Sequence, residues 1–165
     1  MKIAKFQSFE QPSSPENGPE RLAALRAEME AEKLDGFIVP RSDMYQGEYV
    51  APRDERLAWL TGFTGSAGFC VALKENAAVF VDSRYTVQVK AQTLDAFTPV
   101  DWPKETLESW LIENAWEGAR IGFDPWLHTL AAIEKSQTAL SPFGITLERK
   151  DNLIDRIWHN QPTAP

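Results

Sequence analysis

Cysteine is nearly missing from this sequence. Cys70 stands alone, so no disulfide can form within the chain, which fits a reducing compartment. It lies in the apolar run F-C-V-A-L, where a small thiol reads as core rather than as a nucleophile. Histidine is also scarce: His128 and His159 lie far apart, and no H-E-x-x-H, C-x-x-C or EF-hand pattern occurs. The 24 acidic residues fall mostly on helix faces, where solvation accounts for them, so no metal site is expected within the chain. Positive charge is in deficit. Seventeen Lys and Arg against those 24 acids leave a net charge of −7, with no dense basic stretch. That argues against nucleic acid or an anionic membrane surface as the main partner. No apolar run approaches the roughly 18 residues of a membrane span. The opening M-K-I-A-K-F-Q-S-F-E has no apolar run behind its charges, so it does not read as a secretory signal.

What is present is the balance of an ordinary soluble globular domain, 43% apolar and 25% charged over 165 residues. Residues 1–18, containing Q-P-S-S-P-E-N-G, read as a flexible polar arm. Pro19 suits the first turn of a helix reaching Leu34, with Asn17 or Gly18 as cap, Leu22, Leu25 and Met29 inward, and Gly36 as the C′ glycine. Residues 37–39 are a short β-rich run. A helix over 54–60 precedes two apolar runs, Phe69–Leu73 and Ala77–Val81, separated by Lys74-Glu75-Asn76 as a β-hairpin turn. Helical pattern follows over 84–94, with Tyr85, Val87, Val89 and Ala91 as apolar members. A strand over 97–100 leads to a helix opened by Pro103. Arg120–Phe123 reads as a strand, 127–140 as a helix, 145–147 as a strand and 152–158 as a last helical turn or two. Trp59 and Trp110 fall on apolar helix faces; Trp102 and Trp126 adjoin prolines and are expected partly exposed. Strands alternating with helices, plus one hairpin, give an α/β domain over 19–160 with a mixed sheet covered on both faces. Residues 161–165 read as the start of a linker.

The chemistry concentrates between Tyr49 and Tyr85. Gly62, Gly65 and Gly68 punctuate a turn into the hairpin, but T-G-S-A-G lacks the spacing of a G-x-S-x-G elbow. Nor is the run a P-loop or a G-x-G-x-x-G turn. Arg53-Asp54-Glu55-Arg56 can be explained as surface ion pairs, each worth at most about 1 kcal/mol. Asp82 and Arg84 sit where a buried strand ends. A guanidinium there can clamp a carboxylate or peptide carbonyl, or can simply close a salt bridge to Asp82 or Asp54.

Taken as a set, Y-Q-x-E-Y-x-A-P (Tyr45 to Pro52), R-x-x-W-L-T-G-F-x-G-S-A-G (Arg56 to Gly68) and V-D-x-R-Y (Val81 to Tyr85) resemble the N-terminal domain of cytosolic-type Xaa-Pro aminopeptidases. D-N-L-I-D-R-I-W, from Asp151 to Trp158, resembles the stretch that closes that domain. The resemblance implies a creatinase/prolidase N-terminal domain of ribonuclease H-like topology. Catalysis would lie in a separate domain with two divalent metal ions, commonly manganese, whose bound water attacks the bond preceding proline. No cofactor is expected on this chain itself. The resemblance further implies that Arg84 contacts bound peptide, with Tyr85 and Asp82 as weaker substrate-binding candidates beside it; Ser83 stands where the family pattern often has glycine. Implied partners are a peptide with proline second, the protein's own downstream domains and further copies of the chain, in the cytoplasm. Two rivals stay open: a peptidase-like module that binds proteins without hydrolysing them, and the N-terminal domain of a prolidase or creatinase.

Overall fold

The computed structural model describes residues 13–164. In chain order the elements are α1 (Gly18–Ala31), β1 (Gly36–Pro40), α2 (Arg56–Thr61), β2 (Phe69–Leu73), β3 (Ala77–Val81), α3 (Thr86–Gln92), β4 (Thr98–Asp101), α4 (Leu107–Asn114), β5 (Arg120–Phe123), α5 (Leu130–Leu140), β6 (Thr146–Arg149) and α6 (Leu153–Ile157). The strands form one mixed sheet in the order β4-β3-β2-β1-β5-β6. Strand β2 runs antiparallel to both its neighbours, while the β3–β4, β1–β5 and β5–β6 pairs are parallel.

Strand side chains alternate between faces, and here both faces are apolar. Phe37, Val39, Cys70, Ala72, Val79 and Val81 join Leu22, Leu25 and Met29 of α1, Leu57 and Leu60 of α2, Val89 of α3 and Leu153 and Ile154 of α6 in one core. Ile38, Val71, Leu73, Phe80, Ile121 and Phe123 join Trp110 and Leu111 of α4 and Leu140 of α5 in the other. The expected mixed sheet covered on both faces is therefore what forms. Cys70 is fully buried, and that burial pushes its thiol well above the ordinary value.

Several local expectations need correction. Residues 1–12 of the expected arm lie outside the described residues, but residues 13–18 pack against the domain: Ser13 Oγ donates to the Gly62 carbonyl at 2.5 Å. Gly36 does not cap α1. Lys33 takes the left-handed position (φ 57°), and Leu34 N–H donates back to the Met29 carbonyl at 2.8 Å. Gly36 lies in β1 because a Cβ there would come within 2.6 Å of Leu73 Cδ2 and 2.9 Å of Ile121 Cδ1. Helix α3 is shorter than 84–94 and buries only Val89, leaving Val87 81% exposed. Apolar residues two apart cannot share one helix face. Helix α4 starts at Leu107 rather than at Pro103, because Thr106 and Ser109 form a capping box. Helix α5 starts at Leu130, after Thr129 Oγ1 accepts from Ala132 N–H. Trp110 is buried and Trp59 is half-buried, while Trp102 and Trp126 are exposed.

Gly122, in β5, faces the first core, where a Cβ would lie 2.6 Å from Leu34 Cδ1 and 2.7 Å from Phe37 Cδ2. Gly122→Ala should therefore destabilise the fold by about 1–3 kcal/mol through overpacking. Urea unfolding should show a lower midpoint at constant m; an unchanged midpoint would mean this contact is not tight.

Candidate functional site at the carboxyl edge of the sheet

Because β2 alone is reversed, the other strands all deliver their carboxyl ends to one edge of the sheet. In open α/β sheets ligands favour that edge, above all where successive connections diverge to opposite sides. Here the divergence lies between β1 and β5. Arg41, Ser42 and Asp43 leave β1 there, Asp124 leaves β5, and Asp82 leaves β3 further along. The glycine-punctuated stretch 62–68 enters β2 from the same edge.

At the end of β3 the three predicted residues come together. Asp82 accepts the backbone N–H of Arg84 at 2.9 Å, its Nε at 3.0 and 3.2 Å on the two oxygens, and its Nη2 at 2.7 Å. The Arg84 side chain is nonetheless 64% exposed, and Nη1 has no partner among the described residues. Its guanidinium carbon lies 5.1 Å from the centroid of the Tyr85 ring, within cation–π range. Tyr85 meets Phe63 edge-on at 5.6 Å and shares a 2.5 Å hydrogen bond with Ser66 Oγ. Of the two readings of Arg84 left open by the sequence, the salt bridge forms with Asp82 and not Asp54, and it leaves one end of the guanidinium facing outward.

Glycine serves two different needs in the adjoining turn. Gly62 caps α2 with φ 87°, where its N–H reaches the Ala58 carbonyl. A Cβ on Gly65 would lie 2.2 Å from the Phe63 ring. The turn is thus shaped by steric demand as well as by flexibility.

Arg41 was not singled out from the sequence, yet it spans this edge. Its Nη1 donates to the Glu48 carbonyl at 2.9 Å and to the Ser66 carbonyl at 3.0 Å, and its Nη2 reaches Glu55 Oε1 at 3.3 Å. Its buried Nε finds no partner among the described residues, a cost of about 1–3 kcal/mol when water is also excluded. Burial pushes the Glu55 carboxyl above its ordinary value, opposed by the nearby Arg41. The available signal was the one used for Arg84: a guanidinium directly after a buried strand.

The charged cluster divides by role. Arg56 is buried and grips both oxygens of Asp155 through Nε and Nη2, at 2.7 and 2.9 Å, with Asp54 on Nη1 at 3.0 Å. Gln161 Nε2 donates to Asp155 Oδ1 and to the Arg53 carbonyl, both at 2.9 Å, fastening the segment after α6 to the same cluster. Beside it opens a cleft of ≈ 650 Å³ bordered by Asp43, Tyr45, Tyr49, Arg53 and Trp126. Asp82, Arg84 and Tyr85 lie outside it, so two distinct features share the edge.

The Creatinase/Prolidase N-terminal domain family matches residues 21–157. The chain belongs to that family. Among curated relatives, Xaa-Pro aminopeptidase 2 of Rattus norvegicus is 36% identical over 93% of this chain and 23% of its own length. A probable Xaa-Pro aminopeptidase P of Arthroderma otae is 38% identical over 95% of this chain and 26% of its own. The X-prolyl aminopeptidase of Caenorhabditis elegans, described as a cytosolic enzyme with a di-nuclear active site, superposes with a TM-score of 0.82 at 29% identity, covering 88% of this chain and 26% of that one. The N-terminal domain of the cytoplasmic peptidase PepQ from Mycobacterium tuberculosis gives 0.65 at 22% identity over 84% of this chain and 98% of its own, a likeness of fold. The chain thus spans about a quarter of the length of the aminopeptidases it resembles.

Among the described residues of this chain no group of three or more His, Cys, Asp or Glu is arranged to hold an ion. His128 sits against Phe123 at 5.6 Å, and His159 is exposed elsewhere. The described residues do not fit a di-nuclear centre. No helix among them is long and apolar enough to cross a membrane.

The hydrogen bonds from Arg84 hold the Asp82 carboxyl below its ordinary 3.8. A depressed folded-state pKa gives a stabilising contribution present above the unfolded value and lost as pH falls through the folded one. Following the Asp82 carboxyl carbon by NMR should give a midpoint below 3.8, returning toward it in Arg84→Ala. An unmoved midpoint would mean the pair does not persist in solution.

Proposed function

We propose that this domain forms one wall of the substrate pocket of a metal-dependent Xaa-Pro aminopeptidase, which removes the first residue of peptides with proline second. Two divalent ions, manganese by family resemblance, would be held by polypeptide outside this chain; they would supply the activated water. The observation that carries the reading is Arg84. It is mostly exposed at a strand's carboxyl end, yet two bonds from its Nε and Nη2 to Asp82 fix its plane. A guanidinium ordered before binding loses less freedom when Nη1 donates to a peptide carbonyl or carboxylate. Asp82 is then the residue that orients Arg84, and Tyr85 supports its flat face.

The similarity to Xaa-Pro aminopeptidases over most of this chain supports the substrate class. The cytosolic description of the nematode relative and the single buried cysteine support a cytoplasmic setting. The same relatives support partnership with downstream domains, since the chain spans about a quarter of their length.

In the enzyme that carries this domain, Arg84→Ala should lower kcat/KM for an Xaa-Pro peptide by about 10- to 100-fold, as expected for one charge-assisted hydrogen bond. The urea midpoint should move only slightly, as for any exposed ion pair; an unchanged kcat/KM would remove Arg84 from the pocket. This chain alone, given manganese and an Xaa-Pro peptide, should show no turnover above the metal in buffer. Robust hydrolysis would overturn the division of labour.

A further inference from the structure

Asp82 orients Arg84, but the Tyr85 ring beneath it depends on a second support. Tyr85 rests on Ser66 through its hydroxyl, and Ser66 belongs to a turn punctuated by glycine. The first half of that turn is held by buried Phe63 and by hydrogen bonds from Thr64 to Gln92, but Ser66 is exposed and the 66–68 end lacks such packing. Arg41 supplies the support. One nitrogen of its guanidinium binds the Ser66 carbonyl and also the Glu48 carbonyl of its own loop, while the other terminal nitrogen reaches Glu55. Its backbone N–H adds a bond to the Gly68 carbonyl at 3.0 Å. Arg41 thus ties its own loop to the end of the turn that carries Ser66.

We propose that Arg41 is a positioning residue: it braces the 66–68 end of the turn against the 41–51 loop and, through the Ser66–Tyr85 hydrogen bond, holds the Tyr85 ring against the Arg84 guanidinium that Asp82 orients. The inference rests on the reading of Arg84 as a wall of the substrate pocket. It adds a residue that touches no substrate and acts through three successive contacts. Lysine cannot replace it fully, because an ammonium lacks the planar fork that meets two carbonyls and a carboxylate together. Loss of Arg41 leaves the Glu48 and Ser66 carbonyls without that donor and frees the turn to move.

Two measurements test the proposal separately from the reading it rests on. Hydrogen exchange on this chain should show the residue-41 amide, which donates to the Gly68 carbonyl of the turn, opening about fivefold faster or more in Arg41→Ala, with core amides of β1 and β3 unchanged. Unchanged exchange there would overturn the brace. In the complete enzyme, Arg41→Ala should lower kcat/KM about tenfold, mainly through KM, and Arg41→Lys should recover part of it. In a Tyr85→Phe background, Arg41→Ala should cost less than a further twofold, since both changes cut the same chain of contacts. Full additivity would overturn the coupling. If Arg84→Ala is silent while exchange at residue 41 is faster, the substrate-wall reading falls and the brace stands. If Arg84→Ala is damaging while Arg41→Ala is silent, the positioning role falls and the wall stands.

Discussion

Everything in this fold depends on β1 being enclosed on all sides. It pairs with reversed β2 on one edge and parallel β5 on the other, and its two faces bury Phe37 and Val39 one way and Ile38 the other. A strand so placed must be apolar on both faces, which is why F-I-V carries no polar alternation. It also fixes where polarity can resume. Pro40 ends the strand, and Arg41 is the first side chain able to meet solvent and neighbouring loops together. The carboxyl edge is therefore one of the two borders where charge, glycine and exposed aromatic residues gather without injuring a core, Lys74, Asp35, Trp116 and Gly118 marking the other.

The carboxyl border divides its ionic groups by burial. Arg56 is sealed between α2 and α6 with two carboxylates, so it behaves as part of the packing; removing one partner would leave a desolvated charge. Arg84 keeps a comparable bidentate geometry at a site open to water, where the pair contributes little to stability. Similar contacts thus have opposite meanings. The buried pair closes the domain, whereas the exposed one holds a group in readiness.

How far the sequence could be read follows from the same physics. The strands were legible because their apolar runs are short, β-rich and bounded by turn formers, and β2, β3 and β5 begin and end as the pattern predicts. Helix α3 was overextended because Tyr85, Val87, Val89 and Ala91 alternate, a strand-like spacing that a helix spreads around its circumference. Gly36 was misplaced because a glycine after a helix resembles a cap, whereas the constraint came from Leu73 and Ile121, both remote in sequence. The same limit applied at the edge. Asp82, Arg84 and Tyr85 could be proposed from their place after a strand, but the bond from Tyr85 to Ser66 and the grip of Arg41 depend on pairings that no local pattern encodes.

The stacking of Trp59 on Trp158, at 5.3 Å and 18° between planes, also bears on the order in which the molecule can be made. Arg21 lies over the other side of that assembly, 4.5 Å from the Trp59 ring centroid, so the first helix and the last are joined through one aromatic pair. On a ribosome, Leu22, Leu25, Leu57 and Leu60 emerge long before Leu153, Ile154 and Trp158, which complete the core beneath them. Through most of synthesis α1, α2 and α3 can cover that face of the sheet, but the part that Leu153, Ile154 and Trp158 will seal stays open to chaperones or to a neighbouring nascent chain. The domain's riskiest interval is thus its last, when a five-residue helix arrives to shut it.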